Sequence, residues 1–190
     1  NYPFVHRNID LKAPSFFQRK KWRVAAVIHP KWEYADAYAK KDFFDYVKKV
    51  AGLKNVSLHE KKLPLEFSRA HEIHDVIYNK TLSYYFADEY KKKHLVSKVL
   101  SGLIHDGQNI SADTYRKALA AQVELREKLK SMFRDYDIIL TLSTSGQAPK
   151  FPNPVDKQDS CLIWNLCGVP AMNVPVFRGP QGLPFGLQVV

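Results

Sequence analysis

The chain has 190 residues, which is enough for one ordinary domain and too few for two large ones. Apolar residues make up 45% of it and charged residues 25%, a composition that excludes an intrinsically disordered chain. Its 29 lysines and arginines outnumber 19 acidic residues, and the resulting net charge of +10 favours anionic partners without choosing among nucleic acids, membrane surfaces and acidic substrates.

The beginning of the chain predicts a strand, a helix and a second strand. Residues 1–20 mix prolines, charges and aromatics without a period, which indicates an irregular lead-in. Residues 22–28 are almost continuously apolar, as is typical of a buried strand. Residues 33–50 have apolar side chains at helical spacing and end before Gly52, and residues 56–60 predict the next strand. Together these segments predict a β-α-β unit.

The middle of the chain predicts helices. Residues 66–90 contain neither proline nor glycine and predict one helix, and residues 95–104 predict a shorter one. The sequence Asp-Gly-Gln-Asn at residues 106–109 predicts a turn. Residues 111–136 give the clearest signal, because apolar side chains recur every three or four positions after Ser111, a favourable N-cap.

The last third predicts a second buried strand followed by a polar loop. Residues 137–142 are mostly apolar and lead into Ser-Thr-Ser-Gly at residues 143–146. Ligands of open α/β sheets bind beyond the carboxyl ends of strands, so this loop is a candidate binding loop. A short helix over residues 160–166 and two strands over residues 171–177 and 184–190 complete the predicted elements.

The last third also contains four short motifs in a defined order. They are Phe133-x-x-Tyr136-Asp137-Ile138-Ile139-Leu140, Ala148-Pro149, Trp164-Asn165-Leu166-x-Gly168-Val169-Pro170-Ala171-x-x-Val174-Pro175 and Gly182-Leu183-Pro184-x-Gly186-Leu187-Gln188-Val189-Val190. Their order and spacing resemble the C-terminal part of the amidase signature family. With looser matches nearer the N-terminus, the resemblance covers most of residues 20–190. It implies an α/β fold in which helices cover a central mixed sheet.

The resemblance also implies a chemistry, the hydrolysis of amide bonds. The family uses a serine nucleophile, a bridging serine in a cis peptide and a lysine that takes up the proton, since a hydroxyl is a poor nucleophile until a base deprotonates it. The family's Gly/Ser-rich segment has no counterpart here, and neither Gly-Gly-Ser-Ser nor Gly-x-Ser-x-Gly occurs. No residue of the chain is therefore predicted to be catalytic. Residues 21–190 are interpreted as the C-terminal portion of a single amidase domain, inactive alone.

Four residues are candidates for one wall of the substrate pocket. Thr144 and Ser145 follow a strand end and are placed to contact a small-molecule amide, although hydroxyls in such loops also bind their own backbone. Asp159 precedes the short helix, either as its N-cap or as a partner for a polar substrate group. Trp164 faces either the pocket or the core.

Other polar clusters have competing interpretations. His71 and His74 stand one helical turn apart, but no third ligand is evident, so neither a metal site nor a cofactor is predicted. The basic clusters at residues 19–23 and 91–94 are interpreted as solvated surface, because no nucleic-acid-binding motif accompanies them.

Signals for cellular location conflict. Asn55, Asn79 and Asn109 each begin a glycosylation sequon, but two cysteines are too few for the disulfide framework of a small secreted protein, so the cytoplasm is favoured. Cys161 and Cys167 lie six apart in a predicted helix and are interpreted as free thiols. No apolar run reaches the length of roughly 20 residues that a transmembrane helix needs.

Three functions remain open from the sequence. The first is a portion of an amidase that acts on a small carboxamide or acyl amide, with the N-terminal remainder of the enzyme as its partner and a homodimer as one possible assembly. The second is a non-catalytic, basic α/β module that binds an anionic surface. The third is an amidase-like component of a larger complex, as in amidotransferases.

Overall fold

Residues 21–150 and 161–190 are described by the computed structural model. Its strands are β1 (Trp22–Ile28), β2 (Val56–Lys62), β3 (Ile138–Leu142), β4 (Met172–Arg178) and β5 (Pro184–Val189). They form a mixed sheet in the order β2-β1-β3-β5-β4. Strands β2 and β3 are parallel to β1, whereas β5 is antiparallel to both β3 and β4. The predicted α/β class with a mixed sheet is confirmed.

Helices cover both faces of this sheet. Within the described ranges they are α1 (Ala37–Ala51), α2 (Ala70–Tyr85), α3 (Ala87–Lys91), α4 (Lys98–Asn109), α5 (Ala112–Asp135) and α6 (Cys161–Cys167). Because α1 connects two parallel neighbours, β1 and β2, the predicted β-α-β unit is confirmed. No helix in the described ranges is long and apolar enough to cross a bilayer.

The two sheet faces carry separate hydrophobic cores. Val24 and Ala26 of β1 point toward α1, where Phe43 is fully buried. Ala25 and Val27 point to the opposite face, which is covered by α2, α5 and α6. Since side chains alternate between faces along a strand, a strand covered on both sides is continuously apolar, which is the pattern that β1 shows.

One buried carboxylate joins the start of β3 to β1. Asp137 accepts hydrogen bonds from the Arg23 backbone N–H at 3.0 Å and from the Arg23 guanidinium at 2.8 Å. Its side chain is 7% exposed. Asp137, which belongs to the first of the four motifs, therefore aligns β1 and β3, two parallel strands that lie far apart in the sequence.

The helical middle differs from its prediction in two places. The predicted helix over residues 66–90 begins as a 3-10 helix (Leu65–Arg69) and is interrupted at Phe86, which separates α2 from α3. The predicted turn at residues 106–109 is wrong, because α4 continues to Asn109. A Cβ on Gly107 would collide with the backbone carbonyl of Asn79, so glycine serves there as the contact point between α4 and α2.

Helix α5 begins as predicted. The Ser111 side chain accepts a hydrogen bond from the Thr114 backbone N–H at 3.0 Å, which confirms the N-cap. Leu125 and Leu129 on the inner face of α5 are buried against the sheet. Gln122 of α5 donates to the Leu166 carbonyl at 2.8 Å and thereby joins α5 to α6.

Neither cysteine is in a disulfide bond, as predicted. Cys167 is 1% exposed, and its burial raises the pKa of the thiol to about 11. Of the three sequon asparagines, Asn55 and Asn109 are exposed, whereas Asn79 lies where α2 meets α4. Use of these sequons stays a prediction.

Candidate functional site

The parallel strands β1, β2 and β3 end at the same edge of the sheet. His29 follows β1, Leu63 follows β2 and Ser143 follows β3. Ligands of open α/β sheets bind at such carboxyl ends. The segment of residues 143–147 at this edge, termed here the β3 loop, is therefore the first candidate for a functional site.

The hydroxyl groups of Ser143 and Thr144 in the β3 loop bind backbone carbonyls. Ser143 Oγ donates to the Gly186 carbonyl at 2.9 Å, and Ser143 is 5% exposed. Thr144 is exposed, and its Oγ1 donates to the Gly146 carbonyl at 2.7 Å. Ser145 is 7% exposed, and its carbonyl accepts from the Asp36 N–H at 2.8 Å. The loop therefore presents Thr144 outward while serines anchor it.

Close packing against the start of α1 holds the β3 loop in place. A Cβ on Gly146 would collide with Asp36 Oδ2 and with the Tyr38 hydroxyl, so a larger residue does not fit without displacement. The Tyr38 hydroxyl accepts a hydrogen bond from the Gln147 backbone N–H at 2.8 Å. The Tyr38 ring packs edge-to-face on Phe185, with centroids 5.6 Å apart. Strand β5 therefore supports the loop as well.

A buried imidazole lies at the end of β1. His29 is 3% exposed and accepts a hydrogen bond at Nδ1 from the Lys31 backbone N–H at 3.2 Å. Its ring lies edge-on to Trp32. Burial lowers the pKa of His29 to about 4, and the nearby charge of His71 contributes in the same direction. His29 is therefore neutral at pH 7.

Acid is expected to destabilise the protein through His29. The folded-state pKa lies below the unfolded value near 6.5, so the unfolded state binds more protons between pH 6.5 and 4. The free energy of unfolding should fall by about 2 kcal/mol from pH 7.5 to pH 5 and stop falling through this group near pH 4. Urea denaturation at several pH values measures this decrease in the free energy of unfolding. In His29→Gln this part of the pH dependence should vanish, whereas His105→Gln, at an exposed position, should retain it.

A polar pair lies on the sheet face covered by α6. Thr141 of β3 stands directly opposite Gln188 of β5, and the two side chains are 0% and 5% exposed. Gln188 Nε2 donates to Cys161 Sγ at 3.4 Å. Thr141 Oγ1 and Gln188 Oε1 have no hydrogen-bond partner within the described ranges. Both atoms can bind a polar group that reaches this face. The sequence analysis missed this pair. The available signal was a polar residue, Thr141, within an otherwise aliphatic strand.

In the part of the chain that the structure describes, none of the predicted pocket residues come together beyond the two that are adjacent in the sequence. Thr144 and Ser145 are neighbours in the β3 loop. Trp164 is fully buried in the core beneath α6, and its indole nitrogen has no hydrogen-bond partner among the described residues. Asp159 lies outside the described residues. The role of all four in a substrate pocket stays a prediction.

The two histidines of α2 have different surroundings. His71 is 8% exposed, close enough to His29 to influence its pKa. His74 stacks on Tyr78 and lies 3.6 Å from Asp75. Within residues 21–150 and 161–190, no group of three or more His, Cys, Asp or Glu side chains is arranged to hold a metal ion.

Comparison with known proteins assigns the family. The model of the family described as Amidase matches residues 5–190. The chain belongs to the amidase family. Among curated relatives, a glutamyl-tRNA(Gln) amidotransferase subunit of Brevibacillus brevis is 32% identical over 122 residues, which is 60% of this chain and 24% of the relative. The corresponding protein of Helicobacter hepaticus is 33% identical over 121 residues, which is 60% of this chain and 26% of the relative.

Solved structures share the amidase fold. A crystal structure of an amidase superimposes with a TM-score of 0.75 at 20% identity, over 90% of this chain and 42% of that one. A bacterial aryl acylamidase of the amidase signature family gives a TM-score of 0.71 at 12% identity, over 90% of this chain and 40% of that one. The chain thus spans about a quarter of the curated relatives (24% and 26%) and less than half of these two structural neighbours.

Proposed function

We propose that this chain is the C-terminal portion of an amidase that cleaves the C–N bond of a small carboxamide or acyl amide. It supplies part of the central sheet and one wall of the substrate pocket. The observation that carries the proposal is the family match over residues 5–190, and the β3 loop at the carboxyl edge of the sheet supports it.

The catalytic groups of this proposal lie outside the 190 residues. In the Ser–cis-Ser–Lys mechanism, a serine oxygen attacks the amide carbon and the lysine takes up its proton through the bridging serine. The proton then passes to the leaving amine as the C–N bond breaks, and water hydrolyses the acyl-serine ester. Since the chain has no Gly-Gly-Ser-Ser segment, its own part is to position the substrate. Thr144, Ser145 and Asp159 are the residues we propose for that wall, whereas Trp164, the fourth candidate, packs in the core.

A serine-directed fluorophosphonate probe tests where the nucleophile lies. The 190-residue chain alone should show no labelling that depends on its fold, so native and heat-denatured samples should be labelled equally. The natural polypeptide that contains this chain should be labelled at a serine outside it and should release ammonia or amine from a small amide. Fold-dependent labelling of a serine within these 190 residues would contradict the assignment.

A second candidate is an amidase-like component of a complex. The names of the curated relatives favour it, since both are subunits of an amidotransferase. The two candidates differ in one measurable property. A self-sufficient amidase hydrolyses free amides when purified alone, whereas a component of this kind reaches full activity only when its partner chains are added.

A further inference from the structure

Exposed apolar side chains are concentrated in the stretch of chain that runs from the end of α2 to the start of α4. Five large apolar residues of the described ranges are more than 70% exposed: Leu65, Tyr84, Tyr85, Leu95 and Val99. Four of the five fall within residues 84–99, termed here the helical tip. Scattered exposed apolar residues are ordinary, but a concentration of them marks an interaction surface.

The helical tip is held by a well-packed support. Ile104 of α4 is fully buried and Leu82 of α2 is 9% exposed. Gly107 allows the two helices to touch at Asn79. Lys80 Nζ donates to the Ile110 carbonyl at 2.7 Å and joins α2 to the end of α4. Tyr84, Tyr85 and Val99 therefore project from a packed pair of helices.

Lysines are interspersed along the sequence with the exposed apolar side chains. The segment of residues 84–99 contains four lysines and two acidic residues. Lys91 pairs with Asp88 at 2.7 Å, and both are highly exposed. Lys92, Lys98 and His94 are also exposed. The tip thus combines aromatic and aliphatic side chains with an excess of lysine.

We propose that the helical tip binds the surface of a lipid bilayer that contains anionic lipids. Tyrosine is enriched at the boundary between lipid and water, and apolar side chains beside lysines give interfacial binding strengthened by anionic headgroups. Lysine is depleted in protein–protein interfaces, which disfavours a protein occupant. Nucleic-acid interfaces are more polar than protein–protein interfaces, which disfavours one that would contain Leu95 and Val99. This inference does not depend on the proposed amidase function.

Co-sedimentation with vesicles tests the proposal. The natural polypeptide that contains this chain is mixed with vesicles of phosphatidylcholine alone or with about 30% phosphatidylserine, at low and at high salt. Binding should be at least about tenfold stronger with phosphatidylserine. It should weaken as salt rises, because salt screens the lysines, without vanishing, because the apolar contacts remain.

Matched variants test whether vesicle binding depends on the helical tip or on the rest of the protein surface. Combined Tyr84→Ser and Tyr85→Ser, and combined Lys91→Gln, Lys92→Gln and Lys98→Gln, should each weaken vesicle binding by about tenfold. Two control variants make equivalent changes at exposed positions elsewhere. One combines Leu65→Ser with Val123→Ser, and the other combines Lys48→Gln, Lys117→Gln and Lys130→Gln. These controls should change binding less than about twofold. Circular dichroism checks that every variant is folded.

Three results would overturn the proposal. One is equal binding to both vesicle types, and another is an equal loss of binding in the control variants, which would indicate a general charge effect. The third is a lack of vesicle binding by the unsubstituted protein, with another occupant shown by heparin binding or by self-association that the Tyr84→Ser and Tyr85→Ser variant abolishes.

Discussion

Replacing Trp164 with alanine is expected to lower the free energy of unfolding by about 3–5 kcal/mol. The indole is fully buried in the core that α5 and α6 form on the sheet, in one cluster with Leu129 and Ile139. Removing it eliminates a large buried surface and leaves a cavity that the surrounding helices fill only in part. Urea denaturation followed by far-ultraviolet circular dichroism measures the change.

Two further variants make the Trp164 result interpretable. Asn165→Ala changes the neighbouring exposed residue of α6 and should alter stability by less than about 0.5 kcal/mol. Trp164→Phe should cost much less than alanine, because the indole nitrogen has no hydrogen-bond partner among the described residues and only volume is lost. If Trp164→Ala proved nearly neutral, the side chain would not be core and a pocket-facing position would be favoured.

Replacing Gly107 with alanine is expected to destabilise the chain by about 3 kcal/mol, although alanine is the better helix former. A Cβ at this position would collide with the Asn79 backbone carbonyl and lie 2.9 Å from Ser83 Cβ. Backbone atoms of a packed helix cannot move aside as a flexible side chain can. Helices α2 and α4 would have to separate, at the expense of the contacts around Ile104.

The same helix supplies the control for Gly107. A Cβ on Gly102 would have nothing within 4 Å, so Gly102→Ala should raise the free energy of unfolding by up to about 1 kcal/mol. Thermal and urea denaturation of both variants give the comparison. Equal effects at Gly102 and Gly107 would show that α4 does not touch α2 at Gly107.

Elements with strong local signals were predictable. The apolar segments of β1 and β3 and the Ser111 cap of α5 depend on residues close together in the sequence. The family was likewise accessible, because its four motifs combine strand ends with the glycines and prolines that shape the adjoining turns. These signals require no knowledge of which segments pack together.

Elements that depend on distant contacts were not predictable. The sequence at residues 106–109 is typical of a turn, yet it is helical because Gly107 fits against Asn79 of another helix. Packing between helices thus overrode a local preference worth about 1 kcal/mol for glycine. The interruption between α2 and α3 was also unpredictable, because neither proline nor glycine occurs at or beside Phe86.

The candidate site shows the same division. The sequence by itself determined the amidase family, the position of the β3 loop after a buried strand and the absence of the family's catalytic serine segment from these residues. Only the tertiary structure paired Thr141 with Gln188, set His29 near His71 and packed the Tyr38 hydroxyl against Gly146. The partners in these contacts are separated by about 40 to 110 residues, and hydrogen bonding and burial act through space, whereas sequence patterns report only neighbours along the chain.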